Sequence, residues 1–144
     1  MRFAILLMMF GLLYSCNEYS VPQDVLRNFV HYRFSNSQSK DYILEQTSGV
    51  LREKILTMSE EDFNKFINVK NLKKKKFKIS YTKCSDNKCF ITYFLSYDIL
   101  NEGKKRFSVE IKKIAELEKD LGVWKIADVN NVKTYYDSKE HIFP

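Results

Sequence analysis

Phe77-Lys78-Ile79-Ser80-Tyr81-Thr82-Lys83-Cys84-Ser85-Asp86-Asn87-Lys88-Cys89-Phe90-Ile91-Thr92-Tyr93-Phe94-Leu95 is the stretch on which the fold turns. Phe77, Ile79 and Tyr81 alternate with Lys78, Ser80 and Thr82, the period of two of a half-buried strand. Ser85-Asp86-Asn87-Lys88 consists of turn formers. Beyond it, Phe90, Thr92 and Phe94 alternate with Ile91, Tyr93 and Leu95, apolar on both faces, which predicts a central strand. Two such runs around a four-residue loop read as a β-hairpin. The residues closing that loop, Cys84 and Cys89, then stand opposite each other, with Cα atoms about 4.5–5.5 Å apart.

Toward the C-terminus the same period continues from about residue 72. Asn101-Glu102-Gly103-Lys104 is a turn, and Phe107, Val109 and Ile111 alternate with Ser108, Glu110 and Lys112 in a third strand extending toward Leu117. Asp120-Leu121-Gly122 is the next turn, after which Trp124 and Ile126 open a strand reaching Thr134. Connections this short make neighbouring strands antiparallel.

Toward the N-terminus the period becomes helical. In Ser20-Val21-Pro22-Gln23, Ser20 can accept from the backbone, Pro22 suits a first turn and Gln23 can close a capping box. Val25, Leu26, Phe29 and Val30 form one apolar stripe of a helix running to about Phe34, and Ser35–Ser39 is a polar break. A second helical segment runs from Lys40 to Thr57, with Ile43, Thr47, Val50, Leu51 and Ile55 in phase. Thr47-Ser48-Gly49 predicts a kink or split in its middle. Ser59-Glu60-Glu61-Asp62 starts a third helix, its carboxylates near the positive helix end and Phe63, Phe66 and Ile67 on its buried face. The expectation is an α+β fold: three N-terminal helices packed on a curved antiparallel four-stranded meander sheet, spanning residues 20–136, with a surface tail at 137–144.

Composition agrees with one folded domain. The chain has 144 residues, 44% hydrophobic and 29% charged, with only four Gly and two Pro. That excludes a disordered or collagen-like chain, and the length suits one domain. The formal net charge is +6.

Residues 1–15 are expected to be an address rather than part of that domain. Phe3–Tyr14 is an uncharged apolar run of twelve residues behind Met1-Arg2. As a helix it would rise about 18 Å, short of the ~30 Å hydrocarbon core, so it has the layout of an export signal. Leu13-Tyr14-Ser15-Cys16 resembles the bacterial lipobox, with Tyr14 where a small residue is usual. The resemblance covers residues 1–16. It implies cleavage before Cys16, diacylation of the Cys16 thiol and acylation of its new amino group, with residues 16–19 as a lipidated tether. Several acyl chains give a stable anchor, each buried CH₂ contributing about 0.8 kcal/mol. Asn17, where Asp would favour inner-membrane retention, leans the expectation to the outer membrane, with the domain on the periplasmic side. In that oxidising compartment a Cys84–Cys89 disulfide is expected. Cys-x-x-Cys redox chemistry does not match the spacing, and zinc would need more ligands than His31 and His141 offer, far off in sequence. No metal site and no cofactor is implied.

Helices before a meander whose last strand opens Gly122-Val123-Trp124-Lys125-Ile126-Ala127-Asp128-Val129 resemble the NTF2-like, cone-shaped α+β superfamily, over about residues 20–136. A cystatin-like fold is the alternative. The NTF2-like resemblance implies a sheet curled around the first helix and a pocket between them, in a superfamily of enzymes, binders and assembly modules. His31, on the first helix, is the candidate general base in such a pocket; its other reading is a partly exposed helix-flank residue. Tyr81, Tyr93, Tyr97 and Asp98 are set between a pocket role and an aromatic core with a solvated edge. No residue is assigned as catalytic. The densest feature is Lys70, Lys73, Lys74, Lys75, Lys76 and Lys78, with Lys104, Lys105 and Arg106 as a second basic run. Lys73, Lys74, Lys75, Lys76 and Lys78 read either as an anion-binding patch or as lysines protecting an edge strand from aggregation. The partners this suggests are the membrane through the N-terminal lipid, then anionic lipid, an envelope polymer or an acidic protein; nucleic acid is not expected. The expectation is a lipid-anchored, cell-envelope lipoprotein acting as a non-catalytic binding or assembly module. The alternative is a pocket-containing enzyme or small-ligand carrier, which a cavity with two or more converging polar side chains would favour and one filled by Phe and Tyr would exclude.

Overall fold

The computed structural model describes residues 21–137. The expected signal segment 1–15, Cys16 and its tether, Ser20, and the tail beyond Asp137 with His141 lie outside the described residues. The elements are α1 (Pro22–Arg33), α2 (Lys40–Glu45), α3 (Gly49–Thr57), α4 (Glu60–Ile67), β1 (Leu72–Cys84), β2 (Lys88–Asn101), β3 (Lys104–Asp120) and β4 (Val123–Asp137). The strands form one open antiparallel sheet in the order β1-β2-β3-β4. The architecture is α+β.

Four helices stand where three were expected, because the Lys40–Thr57 segment splits. After α2, the Ser48 N–H donates to the Ile126 carbonyl and the Ile126 N–H to the Gln46 carbonyl, each at 2.9 Å. Thr47 and Ile126 thus form a short parallel bridge, which diverts the backbone from the helix onto β4. Gly49 restarts the helix with φ +48°. Ile43, Thr47, Leu51 and Ile55 are all buried across the break. Val50 is not: it is 66% exposed, because the restart turns it away from the sheet. The N-cap of α1 is Val21, which makes no side-chain cap bond; Pro22 supplies the first turn as expected. Gln23 closes no capping box, and its Oε1 is buried without a partner. Ser59 does cap α4, accepting from the Asp62 N–H at 3.1 Å.

Cys84 and Cys89 are register partners at the end of the β1–β2 hairpin and are disulfide-bonded. Alternation holds along β2, where Cys89, Ile91, Tyr93 and Leu95 are buried on the helix-bearing face. On β1 it breaks. Register shifts at Lys74/Lys76 and Ile79/Tyr81 insert bulges, so Tyr81, expected in phase with Ile79, is 60% exposed. Three more shifts, one between β2 and β3 and two between β3 and β4, add bends to the sheet. β4 extends past Thr134 to Asp137, taking the first residue of the expected tail. The core joins Leu26 of α1, Ile43 of α2 and Ile55 of α3 to Ile91, Leu117 and Ile126 of the sheet, all inaccessible to solvent.

Candidate functional site

The helices do not fill the space above the sheet. A cavity of about 310 Å³ remains between α1, α3 and α4 on one side and all four strands on the other. Its wall is largely apolar, with Phe29, Val30 and Phe34 from α1, Leu51 from α3, and Leu95, Ile111 and Val129 from the sheet. Arg33, Lys54, Tyr93, Tyr97 and Lys113 also line it, and among the described residues no Asp or Glu does.

Arg33 is held from several sides. One guanidinium nitrogen donates to Gln38 Oε1 and another to the Phe66 carbonyl at 2.6 Å, while the Phe66 ring centroid lies 3.9 Å from Cζ. Gln38 in turn donates through Nε2 to the carbonyls of Arg33 (3.0 Å), Ser35 (3.2 Å) and Ile67 (3.0 Å). One amide therefore ties the end of α1 to the end of α4 and fixes the arginine between them. Every hydrogen-bond acceptor of Arg33 is neutral, so the geometry is satisfied while the charge is not. Burial lowers the Arg33 pKa to about 10, leaving it protonated at neutral pH.

Lys113 sits on β3 opposite Tyr93 of β2 and Asn131 of β4, on the helix-bearing face in unbroken alternation with Ile111, Ala115 and Leu117. Burial lowers its pKa, and the charge of Arg33 lowers it further. Tyr93 is 3% exposed, and burial pushes its phenol well above the ordinary value, so it remains a neutral hydrogen-bond donor. Tyr97 shifts the same way, through burial and then Tyr136.

The remaining candidates are dispersed. His31 is exposed and does not line the cavity. Asp98 lies on the outer face of the sheet, where it is 7% exposed. It accepts from Ser108 Oγ at 2.6 Å, and Lys75 and Lys105 each approach it to 3.6 Å. The Ser108 hydrogen bond is the main reason its pKa is lowered, with the two lysines adding to it. The two basic runs thus meet, through β2, on one carboxylate. The lysine run itself divides. Lys74 stands opposite Tyr97, half-buried, and burial lowers its pKa. Lys73, Lys76 and Lys78 stand opposite Asp98, Ser96 and Phe94, on the outer face and exposed. Among the described residues no group of His, Cys, Asp and Glu is placed to hold a metal ion, and no helix is long and apolar enough to cross a membrane.

Sequence reasoning missed Arg33, Gln38 and Lys113. Arg33 reads as an ordinary cation in a last helical turn, and Gln38 as one polar residue in a polar break. For Lys113 the signal was its place in the alternation Ile111, Lys113, Ala115, Leu117, which puts a lysine in phase with the buried face. No protein-family model matches the chain, and comparison with curated proteins finds no significant match.

Proposed function

We propose that the chain is an exported, lipid-anchored NTF2-like module that binds a small ligand in the cavity between its helices and its sheet, on the periplasmic side of a bacterial membrane. The cavity carries the binding half of this reading. Its volume of about 310 Å³ is at the lower end of the range of small-molecule sites. The mostly apolar wall with a few convergent polar groups has the makeup of such a site. A domain rich in aromatics would otherwise fill this space with Phe and Tyr. Here Phe29, Phe34, Phe66, Tyr93 and Tyr97 line the space without filling it, and Arg33 and Lys113 reach it beside them, which favours the small-ligand reading over an assembly module with a solid core. The helices-on-sheet arrangement with a pocket between the layers fits the NTF2-like cone. The anchoring half rests on Leu13-Tyr14-Ser15-Cys16.

Each half has its own test. An uncharged fluorescent apolar dye should bind the protein one-to-one, and Val129→Trp, which places an indole in the cavity, should abolish that binding. Saturable dye binding that survives Val129→Trp rejects the cavity as the site. Cys16→Ser should abolish acyl labelling and release the protein from membranes; continued labelling rejects the lipobox.

A further inference from the structure

Beside Lys54, which is exposed, the cavity holds two part-buried cations that an apolar pocket does not need. Arg33 and Lys113 are both largely withdrawn from water, and among the described residues neither forms an ion pair with an acid. Burying an unpaired charge is unfavourable, and burying two of like sign close together is worse. The fold has nevertheless anchored Arg33 through Gln38 and the Phe66 carbonyl rather than letting it reach solvent. Acids are not scarce elsewhere: the outer face provides Asp98 for Lys75 and Lys105, and Glu116 and Glu118 for Lys88.

Opposite this charge the wall is hydrocarbon. A ligand complementary to both parts has an apolar chain and one anionic end. We propose that the cavity takes an amphiphilic monocarboxylate, its chain against Phe29, Val30, Leu51, Leu95, Ile111 and Val129 and its carboxylate between Arg33 and Lys113. Arg33 would offer its remaining N–H donors to the carboxylate, a planar match that an ammonium alone does not provide. Lys113 would supply the second charge, and the Tyr93 hydroxyl a further donor. A monoanion suits the site better than a polyanion, whose larger desolvation penalty two fixed cations would not offset.

This inference rests on the reading of the cavity as a ligand site, and the experiment separates the two. The full chain is titrated calorimetrically with three chain-matched probes below their micelle concentrations: octanoate, octan-1-ol and octylammonium. Octanoate should bind about tenfold or more tightly than octan-1-ol, and octylammonium weakest of all. Lys113→Gln should bring octanoate close to the alcohol without weakening the alcohol, and Lys113→Arg should restore the preference. Arg33→Lys keeps the charge but loses the planar fork, and should weaken octanoate about threefold to tenfold while leaving the alcohol unchanged. Equal binding of octanoate and octan-1-ol overturns the carboxylate assignment and leaves the cavity as a binding site. Absence of binding by all three probes overturns the ligand site itself, and the carboxylate with it.

Discussion

At Lys113 stability and ligand binding pull in opposite directions. Its pKa falls below the ordinary 10.5, first through burial and then through Arg33, so the fold disfavours its charged form. In the window between the lowered folded value and 10.5 the unfolded chain binds more protons than the native one, and stability rises with pH there. Lys113→Met removes both the desolvation and the repulsion while keeping the length of the side chain. The expected outcome at neutral pH is a thermal midpoint raised by about 2–4 °C, the scale of a gain below 1 kcal/mol in a domain of this size. The variant's stability should also rise less steeply toward alkaline pH, with Arg33 and Lys74 supplying what rise remains. A lowered midpoint would mean that Lys113 contributes to packing rather than to the cavity's charge. Gln38 is a contrasting case, since it serves the fold and the site together by riveting α1 to α4 through the same contacts that hold Arg33.

At the scale of elements, the break between α2 and α3 shows how one glycine lets a helix bend onto a sheet. Gly49 has φ +48°, and a Cβ there would stand 3.3 Å from Ala127 Cβ and 3.4 Å from the Ala127 carbonyl oxygen. Left-handed backbone costs a residue with a Cβ about 1–2 kcal/mol before any crowding. Gly49→Ala should therefore destabilise by about 1–2 kcal/mol in urea unfolding, with an unchanged denaturant slope. Val50→Ala, one residue along but exposed, should stay within about 0.5 kcal/mol of the parent. A neutral Gly49→Ala would show that the chain can leave α2 without this contact. The Cys84–Cys89 bridge lies across the sheet in the same register row as Leu117 and Ile126, closing the β1–β2 hairpin. Its loop is short, so the chain-entropy gain is about 2 kcal/mol.

Across the whole molecule, charge is sorted by face. Among the described residues the cavity holds cations without acids. The outer face mixes signs, with Lys88 bridging Glu116 and Glu118 at 2.5 and 3.3 Å, and Lys125 bonded to Asp120 at 2.9 Å. β1, an edge strand, adds an excess of exposed lysine. A domain anchored as proposed would lie near head groups, where each such lysine would contribute about 1 kcal/mol toward an anionic surface. Replacing Lys73, Lys76 and Lys78 with Gln should weaken binding to anionic vesicles at low salt. Lys74→Gln, altering a half-buried inner-face residue, should leave it unchanged. If the triple variant binds vesicles as the parent does, these lysines serve only to keep the sheet edge from pairing.

The sequence by itself determined the elements whose signals are local. The period of two marked the strands, turn residues placed the hairpin and set the two cysteines opposite each other, and Ser59 fixed the start of α4. Thr47-Ser48-Gly49 announced a weak point, though not that β4 would capture it. What only the tertiary structure decided is everything that depends on residues distant in the chain. Bulges shift the phase of a strand by one residue, so Tyr81 leaves the core face. The cavity exists because α1, α3 and α4 stop short of closing over β2 and β3. Its chemistry depends on Arg33 and Lys113, eighty positions apart, sharing a space that no acid among the described residues enters. Periodicity reports which face a residue takes within its own element; which charges meet across elements is set by how the layers pack.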